Sequence, residues 1–412
     1  MTTVSENIIN RKNRTVCLPI EKEEYISIVE DSVLFRNYLG EMIEKHKELF
    51  PEEIEEGYLM KDIRSSKKSG LKIRRIKLKA VKMSVSIRPS FVFPYMSAMT
   101  EDVEQGLFLR KFAVPFWAIA RNHGKDKMYW YRLFTHLGHF NIVGTTLRKL
   151  DIPTNLLVDE KHSKCCGKKA YVPITVAEDC VLGISVSPTA DEQGLTSAYR
   201  DFQQEALEVN SGYEPETVNI DGWSATHNAF ETLFSNISII FCFLHSYIKL
   251  RKRSKKKHSD LFRQVANRLW CAYRAKNRSS FSQQIRRLHE WVQQNAKPEF
   301  FSQRMQKIRD NLNSYASAYS YSQSHRTSNA VDRVMRRLDR YLFNMQYFHG
   351  NILTSSHLHV RAWGLCYNFW PFCPDTAKKH NATSQAHRLN QSQYHHCWLQ
   401  NLLISASLQG YR

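Results

Sequence analysis

At 412 residues the chain exceeds the ~250–300 at which a single hydrophobic core stops growing, so two or more domains are expected. Hydrophobic residues at 42% and aromatics at 12% exclude a disordered chain, and 59 Lys+Arg against 39 Asp+Glu leave a net charge of +20 that favours a polyanionic partner. The longest apolar run, residues 237–244 (ISIIFCFL), is far short of the ~18 that a membrane span needs. The opening MTTVSENIIN has neither the basic nor the apolar segment of a signal peptide, and no long basic helix with a clean apolar face suggests membrane-surface binding. Nine cysteines at irregular spacing do not resemble a secreted disulfide framework, so the reading is a soluble, intracellular protein.

Residues 1–62 are mixed and mostly helical in pattern. Between 72 and 96 the period changes to two. Ile76, Leu78 and Ala80 alternate with Lys77 and Lys79, then Val81, Met83, Val85 and Ile87 alternate with Lys82, Ser84 and Ser86. A pair of half-buried strands, or one bulged strand, with a basic outer face is expected there. Residues 112–137 read as a helix-turn-helix: Pro115 opens FWAIARNH, Gly124 supplies the turn, and KMYWYRLFTHL carries Lys127, Tyr131 and Arg132 as candidate DNA contacts. Two packed helices of an all-α domain would give the same pattern.

Short apolar runs follow at 155–159 (NLLVD), 171–176 (YVPITV) and 181–186 (VLGISV), then a helix over 196–209. A fourth run, 217–221 (TVNID), again ends in Asp; a short helix over 226–234 and a fifth run at 237–244 complete the series. The order β-β-β-α-β-α-β is that of an RNase H-like fold, and burial on both faces accounts for the unbroken apolar runs. Residues 249–257 (KLRKRSKKK) mark a boundary; they read as a nuclear localisation signal or, more plainly, as a solvated DNA-facing segment. The chain is then helical and polar-aromatic to about 321, helical again from 327 to 348, and rich in Asn, Gln, Ser and His beyond Pro374, where WLQNLLISASL alone looks able to pack. The expected segments are 1–109 mixed α/β, 110–150 helix-turn-helix, 151–248 first part of the core, 249–320 helical insertion, 321–373 last helix of the core, and 374–412 a polar tail.

Asp159 and Asp221 end two apolar strands that lie side by side in an RNase H order. Adjacent carboxylates repel unless they share a proton or hold a cation, and hard oxygen ligands select Mg²⁺ or Mn²⁺. Two such ions ~3.5–4 Å apart clamp the attacking and leaving oxygens of a phosphodiester. Each Asp alone is equally what a turn or a helix cap would use. The third acid on a packed helix is Asp332 in TSNAVDRVMRRLDRY, where Asn329 and Asp332 also make a variant capping box. Arg333, Arg336 and Arg337 follow as candidate phosphate contacts, as does Lys161 after the first Asp. Cys242 and His245 have the spacing of half a zinc site without a second half, so a structural zinc is not expected; Cys242 reads as a buried strand residue and His245 as facing the catalytic end.

Four elements in this order resemble a DDE transposase of the bacterial insertion-sequence kind, related to the Mutator-like group: Asp159 in LLVDEKHSK, Asp221 in VNIDGWSAT, the Cys242/His245 pair, and the TSNAVDRVMRRL helix. The resemblance covers roughly residues 110–370. It implies an RNase H-like mixed five-stranded sheet with flanking helices and a helical insertion, with Asp159, Asp221 and Asp332 as catalytic metal ligands. It further implies Mg²⁺ or Mn²⁺ as cofactor, cleavage of element ends and joining of the 3′-hydroxyl to target DNA. Double-stranded DNA as partner, a homodimer or larger assembly on it, and a place in the bacterial cytoplasm at the nucleoid follow from the same resemblance. The family's third acid is usually Glu, and here it is Asp332, one methylene shorter. A catalytically inactive DNA-binding descendant and a structure-selective nuclease on the same core are the competing readings.

Overall fold

In a computed structural model, which describes residues 13–81, 83–148, 151–254, 258–348 and 352–408, two mixed sheets form, one in each of two units. The first unit comprises Met1–Ile152, Glu208–Asn210 and Arg340–Arg412; the second comprises Pro153–Leu207 and Ser211–Asp339.

The chain begins with β1 (Asn13–Leu18), α1 (Lys22–Ile28), α2 (Ser32–Lys45), β2 (Tyr58–Ser65), β3 (Lys72–Leu78) and β4 (Ser84–Pro89). The sheet order is β1-β4-β3-β2, with β1 parallel to β4 and the other pairs antiparallel. Strands β3 and β4 lie where the period of two predicts, with Ile76, Leu78, Val85 and Ile87 buried. Ala80 and Val81 fall between the two strands and are exposed, and Lys82 lies outside the described residues. Lys77 and Lys79 are exposed, as the expected basic outer face requires, whereas Arg74 and Arg75 are buried, Arg74 donating to the Val29 carbonyl and Arg75 pairing with Asp62. Over residues 13–62 the segment is mixed and mostly helical, as expected, with β1 and the start of β2 as its extended part, and residues 1–12 lie outside the described residues. Strand β2 is an edge strand that stays half-buried or exposed along its whole length, so it never develops a clean apolar alternation. Strand β1 is covered by residues from the far end of the chain, its Cys17 N–H donating to Ser407 Oγ at 2.8 Å.

Next come α3 (Thr100–Leu109), α4 (Phe116–His123), α5 (Lys127–His136) and α6 (Ile142–Thr146). Helices α4 and α5 occupy the two predicted segments. Asp126 caps α5 by accepting from Met128 N–H at 2.7 Å, and Trp130, Leu133 and Phe134 form its buried face.

The second unit holds β5 (Asn155–Cys165), β6 (Lys168–Ala177), β7 (Cys180–Ile184), α7 (Glu192–Val209), β8 (Thr217–Ile220), α8 (Ser224–Leu233) and β9 (Ser238–Phe241). The sheet order is β7-β6-β5-β8-β9, with β5, β8 and β9 parallel and β6 antiparallel to both neighbours. Central β5 and β8 are buried on both faces over residues 155–158 and 217–220, which is why they read as apolar runs. Strand β5 runs on to Cys165, so Asp159 lies inside it rather than at its end. The turn to β6 is Cys166-Gly167, both at positive φ, the signature of a two-residue hairpin.

Residues 237–244 do not form the single strand that their apolar run suggests. Strand β9 stops at Phe241, and α9 (Phe243–Ser254) begins two residues later, burying Phe243, Ser246 and Leu250 at helical spacing. A short apolar run does not by itself separate strand from helix. Part of the basic run 249–257 therefore continues α9, and residues 255–257 lie outside the described residues. Helices α10 (Ser259–Tyr273), α11 (Arg278–Asn295), α12 (Glu299–Asp310) and α13 (Leu312–Ala316) pack with α9 around Val265, Leu269, Phe281, Ile285, Val292 and Phe301. Helix α14 (Asn329–Asn344) follows, with Val331, Val334, Leu338 and Leu342 on its buried face as its period predicts.

Helices α15 (His357–Phe369), α16 (Pro374–His380), α17 (Gln385–Asn390) and α18 (Trp398–Ser405) return to the first unit. The polar-looking tail is thus largely helical, and α18 is buried from Trp398 to Ser405 apart from Gln400. Among the described residues no helix is long and apolar enough to cross a membrane.

Acid sensitivity follows from this unit's histidines. His136 is pushed down from 6.5 to about 4 by burial, with His139, Arg88 and Lys68 adding to the effect, and fully buried His359 is held well below its ordinary value by burial and Arg110. A depressed histidine contributes stability that is present above its unfolded value and lost as pH falls towards its folded value. Between pH 6.5 and 4, His136 alone is expected to remove up to about 3 kcal/mol. Thermal unfolding across that window should show a falling Tm, and His136→Gln should flatten the fall.

Candidate functional site

The site grows from the register of two neighbouring strands. Asn155, Leu156 and Leu157 of β5 stand opposite Thr217, Val218 and Asn219 of β8. Carried on by the same offset, Asp159 falls opposite Asp221, the residue just past β8, on strands that neighbour at ~4.8 Å. Side chains at matched register on parallel strands share a face, so the fold juxtaposes the two carboxylates that the sequence singles out.

Asp221 is held by a local turn. Gly222, at φ +87°, folds the chain back so that Trp223 N–H donates to Asp221 Oδ1 at 2.9 Å. Asp159 Oδ1 accepts from Glu160 N–H at 2.9 Å. Asp332 lies in the first turn of α14, where its partner is Ser328 rather than the expected Asn329: Ser328 Oγ donates to Asp332 Oδ2 at 3.2 Å. Burial pushes the Asp159 carboxyl up to about 6; the Glu160 N–H and His245 oppose the rise, and the charges of Asp221 and Asp332 add to it. Asp221 and Asp332 therefore both act electrostatically on Asp159.

Cys242 and His245 belong to the same neighbourhood, although not as strand residues. Cys242 is buried at the junction of β9 and α9, its N–H donating to the Ile220 carbonyl at 2.7 Å. Ser328 N–H donates to Cys242 Sγ at 3.2 Å, and Ser328 Oγ lies 3.5 Å from His245 Nδ1. Burial pushes the Cys242 thiol up, but the hydrogen bonds to His245 and Ser328 and the charge of His245 together outweigh this and leave it below its ordinary value. His245 is correspondingly raised, by its hydrogen bond to Cys242 first and, after the opposing effect of burial, by the charges of Cys242, Asp159 and Asp221. Ser328 thus links the Cys242/His245 pair to Asp332, a connection the spacing of the motif does not reveal.

Glu160, on the opposite face of β5, is a residue that sequence reasoning passes over. It is buried, and Glu160 Oε1 accepts from Tyr199 Oη of α7 at 2.6 Å and Thr226 Oγ1 of α8 at 2.7 Å. Burial pushes it up to about 7, against those two hydrogen bonds. The available signal is its place beside Asp159 in a strand covered on both faces.

The candidate DNA contacts fall in two groups. Lys127 and Arg132 are exposed on α5 of the first unit, whereas Tyr131 is half-buried, stacked on His359 at 6.1 Å. In the second unit Lys161 Nζ pairs with Asp339 Oδ1 at 2.7 Å, and Arg333 pairs with Asp179. Arg336 and Arg337 are exposed on α14. Lys161 and Arg333 would have to exchange these carboxylates for phosphates.

The donor set suits a hard divalent cation. Among the described residues, Asp159 Oδ2, Asp221 Oδ2 and Asp332 Oδ1 accept no hydrogen bond, leaving each acid one oxygen to offer. As they stand, however, no three His, Cys, Asp or Glu side chains among the described residues are grouped as a ready-made metal site. No known protein family's model matches the sequence, and no curated protein matches it either.

Proposed function

We propose that the second unit is an RNase H-like catalytic core and that the protein is a DNA transposase, cutting element ends and joining the 3′-hydroxyl to target DNA. The observation that carries this reading is the matched register of Asp159 and Asp221 on adjacent parallel strands at the sheet centre. Asp332, coupled electrostatically to Asp159, completes the acid set. Central placement of the unit's first and fourth strands, with a helical segment between β9 and α14, is the arrangement this core requires.

Asp159, Asp221 and Asp332 would hold Mg²⁺ or Mn²⁺. Such ions supply Lewis-acid stabilisation of the charge that develops on a phosphodiester during in-line displacement. The chain's own contributions are separable from that chemistry. Trp223 N–H and Ser328 Oγ fix the rotamers of Asp221 and Asp332, and the Cys242/His245 pair holds Ser328. Burial of Asp159 costs free energy that a cation would return: its raised carboxyl contributes stability at pH below about 4 that is lost as pH rises through about 6. Lys127 and Arg132, with Lys161, Arg333, Arg336 and Arg337, would contact backbone phosphates of double-stranded DNA, and synapsis of two ends would require at least a dimer.

A plasmid carrying the chain's own gene with its flanking DNA, incubated with the protein and Mg²⁺, tests the reading. Excised ends joined through a 3′-hydroxyl are expected; cutting without joining would indicate a nuclease on the same core. A second reading rests on a specific observation: the acids are not grouped as a metal site, and Asp332 is a methylene short of Glu. On that reading the protein binds DNA and leaves it intact. Gain of joining in Asp332→Glu would favour a weakened transposase over an inert descendant.

A further inference from the structure

Beyond the carboxylates, the β5–β6 hairpin carries a cluster that the proposed chemistry does not use. His162 and Tyr171 stand directly opposite each other in the register, with ring centroids 5.1 Å apart. Trp223 completes the cluster: its ring is parallel to His162 within 2° at 6.3 Å, and Tyr171 meets it edge-on at 6.4 Å. His162 is exposed, and Tyr171 and Trp223 are half-buried, so these rings are not spent on a core.

Two residues further out on the same face, Lys164 and Lys169 are directly opposite each other, both exposed, with exposed Lys168 beside them. Among the described residues no carboxylate pairs with Lys164, Lys168 or Lys169. Like charges facing each other across a strand pair destabilise it. The hairpin therefore keeps an unfavourable juxtaposition that an anion would relieve, beside aromatic rings that are partly open to solvent.

We propose that this face binds an unpaired nucleic-acid strand, its bases stacking on His162, Tyr171 and Trp223 and its phosphates running along Lys164 and Lys169. Stacking on aromatic side chains requires a base released from its pair, whereas the lysines alone would accept any polyanion. A duplex presents phosphates but no free base faces. The site thus discriminates for single strands, and it does so whether or not the neighbouring acids are catalytic.

The test is fluorescence anisotropy with the full chain in EDTA, which removes any contribution from a divalent cation. The probes are a labelled oligothymidylate about 15 nucleotides long and a blunt duplex of the same length. The single strand should bind saturably. Trp223→Ala should weaken it about ten- to a hundredfold without changing the salt dependence, and exposed His162→Ala should weaken it in the same sense. Lys164→Gln with Lys169→Gln should instead flatten the slope of log affinity against log salt by about 1.4. Thermal melts of each variant identify any loss that comes from unfolding, and His162→Ala stands in where Trp223→Ala unfolds. Absence of single-strand binding, duplex binding weakened equally by Trp223→Ala, or single-strand binding unchanged in a folded Trp223→Ala or His162→Ala chain, would overturn the proposal. An effect of the lysine changes alone would also overturn it, leaving a non-specific anion surface.

Discussion

Asp221→Asn should reduce strand joining by about a thousandfold or more while leaving DNA binding and folding intact. Folding should survive because Asn keeps an Oδ1 to accept the 2.9 Å bond from Trp223 N–H, which preserves the turn at Gly222. The substitution also removes a negative charge that raises Asp159, which relieves repulsion in the folded state. On the proposed function, what would be lost is one anionic ligand for a cation whose charge stabilisation would be worth several kcal/mol, each ~1.4 kcal/mol being tenfold in rate. The measurement is the plasmid joining assay run beside DNA binding by anisotropy. Retained joining would remove Asp221 from the chemistry.

Arg110→Ala should destabilise the first unit by about 3–5 kcal/mol, among the largest effects expected of any single change. The guanidinium is fully buried, 4.2 Å from the Phe116 ring centroid and 4.9 Å from that of Tyr341. It donates to the Val114 carbonyl and to Tyr341 Oη, and the Tyr341 hydroxyl in turn is hydrogen-bonded to His359 Nε2 at 2.6 Å. Among the described residues no carboxylate neutralises Arg110, so aromatic faces, the Val114 carbonyl, Tyr341 Oη and Met345 Sδ offset its desolvation. Truncation empties that space and strips Tyr341 of a donor. Arg110→Met fills the space without a buried charge and should cost much less. Chemical denaturation of the two variants checks this. Because Phe116 and Phe134 belong to α4 and α5, Arg110→Ala should also weaken any DNA binding by those helices.

The strands of the second unit are legible in the sequence because their physics is local. Runs such as NLLV and TVNI, buried on both faces, carry their own signal, and an acid closing each run draws attention to Asp159 and Asp221. Register cannot be read that way: only pairing sets Asp159 against Asp221. The helix beginning at Phe243 is hidden because FCFL continues the apolar run of β9, and the change of period shows only over the following turns. Glu160 is within reach, since alternation turns it away from Asp159 towards α7 and α8, but its partners Tyr199 and Thr226 are 39 and 66 residues away. Strand β1 is out of reach altogether: the Ser407 hydroxyl that accepts from its Cys17 N–H is 390 residues distant. The aromatic cluster is equally hidden, because Trp223 meets His162 only through the fold.

The central claim is that Asp159, Asp221 and Asp332 hold a divalent cation. Titration of the full chain with Mn²⁺, followed by the loss of the free-ion electron paramagnetic resonance signal, tests it most directly. Saturable binding is expected, which Asp159→Asn and Asp221→Asn each abolish and Mg²⁺ displaces. Absence of saturable binding, or the same binding in both variants, would contradict it.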